Sequence, residues 1–126
     1  MRTALVAPKN ANRFSLLKKQ LFLSKHNHYI PGSVEESLFR ILWFICYCTN
    51  ISYIEFIDEE ILIRYMRYWI TNPIQPIPFS QSVKDIKNYI SYLRIIKRED
   101  CIPNIDLSVQ NYSLWISLLK TNEVYN

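Results

Sequence analysis

Glycine is nearly missing from this chain of 126 residues, which contains only Gly32. Phosphate-binding loops, dinucleotide-binding turns and nucleophile elbows need glycines, because their backbones adopt positive φ angles or approach a ligand closely. Tight two-residue hairpins also rely on glycine. The sequence therefore excludes these nucleotide-binding and hydrolase motifs, and it favours helices over hairpins.

Long apolar runs are missing as well. The longest one covers residues 41–48 and is far too short to cross a bilayer. Residues 1–8 include one arginine but no hydrophobic stretch of the signal-peptide kind. We therefore expect a cytoplasmic protein that does not associate with a membrane.

Groups that would support catalysis or metal binding are sparse. The three cysteines are an odd number, and Cys46 and Cys48 point to different sides of a predicted helix, so we expect neither a disulfide nor a shared metal. His26 and His28 fall in a predicted loop without zinc-site spacing. The acidic clusters at 35–36 and 58–60 lie at helix starts, where carboxylates complement the helix dipole. We expect no enzyme activity, metal or cofactor.

The residues that are present predict an all-α fold in a single compact domain of about five short helices. Apolar residues make up 49% of the chain and aromatic residues 14%, which is enough for a packed core. Apolar residues at helical spacing predict helices over residues 12–23, 33–49, 58–71, 80–99 and 108–120. Residues 1–11 are expected to be flexible, and 73–79 to form a proline-rich loop.

Local signals refine these helices. Ser33 and Glu36 have the spacing of a capping box at the start of the second helix. The third helix is expected to begin around Asp58, with Asp58, Glu59 and Glu60 in its first turn. Trp43, Trp69 and Trp115 lie on apolar faces of three different helices, so we expect them to be buried close to one another.

Charge is distributed in blocks around a net value of +4. Residues 1–30 carry six basic and no acidic residues, residues 31–62 one basic and six acidic, and residues 63–100 seven basic and three acidic. On the fourth helix, Lys84, Lys87, Arg94 and Arg98 share an arc opposite the apolar face. This arc is either a solvated surface or a contact for DNA phosphates or an acidic partner.

Four further residues are candidate contacts for a partner. Tyr68 and Tyr92 lie off the apolar stripes of their helices, and exposed tyrosine is favoured at interfaces. Arg64 and Arg67 lie away from the apolar face of the third helix.

The run from Cys48 to Glu60, followed by Tyr65, Tyr68 and Asn72, resembles the middle of the swarming motility protein SwrA family of bacilli. The blocks Asp85-Ile86-Lys87 and Ser113-Leu114-Trp115-Ile116 follow in the same order at similar spacing. The chain departs from the family in its proline-rich loop and in its longer tail after Trp115.

The resemblance implies a non-catalytic co-activator of flagellar and motility genes. It also implies a partner, a response-regulator transcription factor of the DegU type, and recognition by a protease adaptor of the Lon system. DNA would be contacted weakly or through the response regulator.

A looser resemblance is to the SAM-like helical core-binding domain of tyrosine recombinases, without their catalytic domain. It implies direct DNA binding, as in a phage or plasmid regulator. A purely structural or oligomerising role is the third alternative.

Overall fold

Four α-helices and two short 3₁₀ turns build the part of the chain that the computed structural model describes, residues 3–21, 30–108, 111–113, 115 and 117, with side chains from residue 12 onward. The α-helices are α1 (Thr3–Gln20), α2 (Gly32–Cys48), α3 (Glu59–Ile70) and α4 (Phe79–Ile95). The 3₁₀ turns are Ile54–Phe56 and Glu99–Cys101. No β-strand occurs in these ranges, so the all-α prediction is confirmed.

Helix α2 lies at the centre of the bundle. It packs against α1 on one side and α4 on the other, and α3 packs against α4. Leu38, Ile41 and Leu42 are completely buried, which explains why the sequence of α2 is mostly apolar. The remaining buried apolar residues come from every α-helix and from both 3₁₀ turns, and they form one continuous core.

Side chains of α1 fasten the loop that follows α2. Arg13 donates hydrogen bonds to the carbonyl oxygens of Cys46 and Thr49, the latter at 3.0 Å. A cation at this position satisfies carbonyls at the helix end and complements the helix dipole. The side-chain amide of Gln20 donates to the Ser52 carbonyl oxygen and accepts from the Ile54 backbone amide. These contacts hold residues 49–54 against α1.

The predicted starts of α2, α3 and α4 agree with the structure to within about one residue, whereas α1 begins well before its predicted start. Asp58 caps α3, since its carboxylate accepts from the Ile61 amide at 3.1 Å. The capping box of Ser33 and Glu36 is wrong, because α2 begins at Gly32 after the cap residue Pro31 and no side chain caps it. The Pro31 carbonyl accepts from the amides of Val34 and Glu35. Helix α1 begins at Thr3 rather than at residue 12, and its alanines favour that extension.

The proline-rich loop joins α3 to α4. Asn72 accepts from the amides of Ile74 and Gln75 and so turns the chain after α3, and α4 begins directly after Pro78.

Of residues 108–120, the described Tyr112, Ser113, Trp115 and Ser117 are helical, and the rest of that prediction lies mostly outside the described residues. No helix in the described ranges is long and apolar enough to span a bilayer.

Candidate partner-binding surfaces

The outer side of α4 carries three exposed cations, Lys84, Lys87 and Arg94, which we call the basic surface. They lie within an arc of about 80° and span about 15 Å along the helix axis. The single carboxylate of α4, Asp85, points into the core. Both ion pairs in the described part of the chain involve other residues, Arg40 with Asp85 and Arg98 with Asp100. The three cations are therefore available to an anionic partner.

Two of these cations share a shallow groove. Lys87 and Arg94 lie on either side of Ser91, and the opposite wall is formed by Ile105, Leu107 and Ser108. The groove has a volume of about 340 Å³. Its polar lining consists of two cations and two serines, a set of donors suited to phosphate or carboxylate oxygens.

Arg98 does not belong to the basic surface, contrary to the expectation. Helix α4 ends at Ile95, and Lys97 adopts a left-handed backbone with φ of 61°. The amides of Lys97 and Arg98 bond to the carbonyls of Arg94 and Leu93, the pattern of a Schellman motif. The chain therefore turns away before Arg98, which pairs with Asp100 at 3.1 Å.

Arg64 and Arg67 differ in their surroundings. Arg64 is exposed and donates to the carbonyl oxygen of Cys48 at 3.3 Å, where it lines a cleft of about 590 Å³ beside residues 48–53. Arg67 is half-buried. Neither residue lies on α4, so the predicted basic residues divide between separate surfaces.

Aromatic side chains cover a second surface, formed by Phe39, Trp43 and Tyr47 of α2 with Tyr68 of α3, which we call the aromatic surface. The three α2 residues follow one another at intervals of four and are all exposed. Trp43 stacks on Tyr47 with ring centroids 4.9 Å apart, and it meets Tyr68 at 6.1 Å. Tyr68 is half-buried between these rings and Phe44. Rigid, amphipathic rings of this kind dominate many protein interfaces.

Tyr92 is not a surface residue, so this candidate is corrected. It is only 1% exposed, and its hydroxyl donates to the carbonyl oxygen of Leu21 at 2.6 Å. A buried tyrosine needs a partner for its hydroxyl, and the end of α1 supplies one. Tyr92 therefore joins α4 to α1 and takes no part in binding.

The expectation that all three tryptophans are buried is also wrong, although two of them are neighbours. Trp43 is 38% exposed, and it lies near the half-buried Trp69 with ring centroids 6.0 Å apart. The indole of Trp115 donates to the carbonyl oxygen of Asp106 at 2.8 Å. Tyrosines 65, 89 and 92 occupy the core instead.

A buried polar cluster around Asp85 was not predicted as a site. Its carboxylate is 0% exposed and accepts two bonds from Arg40, at 2.7 and 2.8 Å. Tyr65 donates at 2.6 Å, Ser37 at 2.7 Å and Gln81 at 2.9 Å. The sequence signal was a carboxylate on the apolar stripe of α4, four residues before Tyr89.

The environment of Asp85 fixes its charge. Burial alone would raise the pKa of its carboxyl group, but hydrogen bonds from Arg40, Tyr65, Ser37 and Gln81 outweigh burial and lower it. Burial, with the neighbouring Asp85 charge, raises the pKa of the Tyr65 hydroxyl. Both groups are therefore held in their ordinary neutral-pH forms, and the cluster joins α2, α3 and α4.

The burial of the three cysteine thiols indicates a structural role. Cys46 and Cys101 are buried, Cys48 is half-buried, and all three are unpaired. Burial raises the pKa of each thiol, which keeps it protonated and unreactive at neutral pH.

The aromatic surface and the basic surface face different directions. Ser37 of α2 contacts Asp85 and Asn88, so this side of α2 faces α4. Phe39 and Trp43 lie about 200° and 240° around the helix from Ser37. The aromatic surface therefore faces away from α4, and one molecule can present both surfaces at once.

Comparisons with protein-family models, with curated proteins and with solved structures find no match to this chain.

Proposed function

We propose that this chain is a non-catalytic, cytoplasmic regulatory domain that binds a response-regulator transcription factor and supports its occupancy of motility promoters. The resemblance to the SwrA family motivates the choice of partner. The observation that carries the proposal is the basic surface, where Lys84, Lys87 and Arg94 project from a helix whose only carboxylate is buried.

The basic surface suits contact with a phosphate backbone. Its three cations extend over about 15 Å, which is the length of several phosphates along one DNA strand. Neutralising phosphates releases counterions, and this gives affinity without reading the base sequence. Three cations supply few contacts, so the domain alone would bind DNA weakly. Specificity would come from the response regulator.

The proposed mechanism is a shift of the response regulator from its free form to its promoter-bound form. A protein that binds the promoter-bound form of the regulator better than its free form increases promoter occupancy by that difference in affinity. Each phosphate contact from the basic surface would add to the difference, because it forms only when DNA is present.

Charge reversal tests the basic surface. In mobility-shift assays with a DegU-type regulator and promoter DNA, Lys87→Glu and Arg94→Glu should each weaken the ternary complex about tenfold or more. Lys19→Glu, a reversal of an exposed cation on α1, is the matched control and should have little effect. Thermal stability should change little in all three, because surface substitutions usually alter it by about 0.5 kcal/mol or less. Equal weakening in all three variants would contradict the proposal.

The alternative is direct DNA binding of the recombinase core-binding type, and the groove containing Lys87 and Arg94 is the feature that favours it. A salt series with promoter and scrambled DNA separates the two functions. The co-activator should bind both DNAs alike, and its affinity should fall steeply as salt increases. Tight binding to one sequence by the domain alone, at physiological salt, would establish direct readout instead.

A further inference from the structure

The aromatic surface continues into the cleft beside residues 48–53. Cys48 and Arg64 both line the cleft. Tyr47 of the aromatic surface is the residue before Cys48, and Tyr68 of the same surface lies one helical turn after Arg64. Two further aromatic rings line the cleft, and both are exposed, Tyr53 to 49% and Phe56 to 61%. Such a continuous stretch of exposed aromatic side chains is unusual for a surface that contacts only water.

The charge of the cleft indicates what would occupy it. Arg64 is the single charged residue among those that line the cleft. Its side chain bonds to the Cys48 carbonyl, and it is in neither of the ion pairs found within the described residues. The exposed carboxylates at the start of α3 do not line the cleft. An occupant therefore meets two aromatic rings, apolar and uncharged polar side chains, and one cation.

We propose that the aromatic surface and this cleft together bind a short acidic, apolar segment of a partner protein. Apolar side chains of the segment pack against Trp43, Tyr47 and Phe56, and a carboxylate of the segment pairs with Arg64. The Arg64 guanidinium is already held at the cleft by the Cys48 carbonyl, and a guanidinium can donate two hydrogen bonds to one carboxylate. The occupant is a protein segment rather than a nucleic acid, because the cleft offers one cation and the basic surface on α4 offers three, which suits phosphates better.

This inference rests on the proposed function in that it assigns the surface for the protein partner, while the basic surface is left for DNA. Because the two surfaces face different directions, one molecule can hold a regulator and DNA together. Their contributions should consequently be separable by mutation.

A pair of labelled peptides tests the proposal without the regulator. The first is an amphipathic peptide of glutamate, leucine and phenylalanine, and the second replaces each glutamate by lysine. Fluorescence anisotropy should show that the protein binds the acidic peptide at least tenfold more tightly. Arg64→Glu should reverse this preference, and Phe56→Ser should weaken binding of the acidic peptide about tenfold.

Two sets of control variants address specificity. Ile74→Ser and Ile95→Ser remove exposed apolar side chains outside the cleft, and should leave peptide affinity unchanged. Lys87→Glu with Arg94→Glu tests whether overall charge suffices, and should also leave affinity for the acidic peptide within about twofold. Circular dichroism of each variant establishes that it is folded, and Tyr47→Ser is a second variant at this surface should Phe56→Ser unfold.

The outcomes separate this inference from the proposed function. Loss of peptide binding in Arg64→Glu, with mobility shifts of DNA unchanged, supports the docking site whatever the regulator proves to be. Equal affinity for both peptides, or an unchanged preference in Arg64→Glu, overturns it. Competition by a single-stranded DNA oligonucleotide that Phe56→Ser abolishes would also overturn it, because bases would then be stacking on these rings.

Discussion

At the scale of single residues, Asp85 connects three of the helices. It accepts five hydrogen bonds from Arg40, Tyr65, Ser37 and Gln81, although it is completely buried. A buried carboxylate is tolerated only when its lone pairs are satisfied, as they are here. Asp85 therefore has a structural role, because its hydrogen bonds join α4 to α2 and α3.

Replacing Asp85 by asparagine should destabilise the protein by about 3 kcal/mol, because an amide leaves the Arg40 guanidinium partly buried without its counter-charge. Urea denaturation followed by circular dichroism measures the change in unfolding free energy. Asp100→Asn is the matched control, since that carboxylate also pairs with an arginine but is exposed. It should have little effect. Equal losses in the two variants would mean that burial of the Asp85 pair is unimportant.

At the scale of elements, the end of α4 decides which cations share a surface. A helix continued through Arg98 would have placed four cations on one arc. The Schellman turn at Lys97 removes the fourth and directs the chain toward the 3₁₀ turn Glu99–Cys101, where Cys101 is buried. The composition of the basic surface therefore depends on one residue with a positive φ angle.

Lys97→Gly should stabilise the protein by about 1 kcal/mol, because glycine adopts φ of 61° without the steric penalty that a side chain incurs. Lys84→Gly removes the same kind of side chain from an exposed site inside α4, and should destabilise by about 1 kcal/mol. Thermal denaturation of both variants measures these opposite shifts. A loss of stability in Lys97→Gly would show that contacts of the lysine side chain outweigh the backbone strain.

At the scale of the whole molecule, buried tyrosines link the helices and make stability depend on pH. Burial raises the pKa of Tyr65, Tyr89 and Tyr92 above the ordinary value of 10.0. Tyr92 joins α4 to α1, and Tyr65 joins α3 to α4 through Asp85. Their protonated forms therefore belong to the folded state.

The unfolding free energy should fall as pH rises above about 10, because the tyrosines then lose protons in the unfolded chain before they do so in the folded one. It should also fall as pH drops below about 3.8, where unfolded Asp85 is protonated and folded Asp85, with its lowered pKa, is not. The midpoints of urea denaturation, followed from about pH 2 to about pH 11, measure the acidic and the alkaline limb of this pH dependence.

A single substitution checks the alkaline limb. The Tyr89 hydroxyl is buried and has no hydrogen-bond partner within the described residues, so Tyr89→Phe should fold well. It should also make the decline above pH 10 shallower. An unchanged slope would assign the alkaline limb to other groups.

The amino-acid pattern was sufficient to predict the helical class, the start of α3 near Asp58 and the exposed cations Lys84, Lys87 and Arg94 of α4. These follow from local causes, namely periodicity, capping chemistry and residue type, which act within a few turns of chain. Tertiary structure alone decided the burial of Tyr92, the exposure of Trp43, the departure of Arg98 and the cluster around Asp85. Each of these depends on partners 20 to 71 residues away or on a turn that needs a left-handed residue. Helical spacing identifies a face, but only packing decides what covers it.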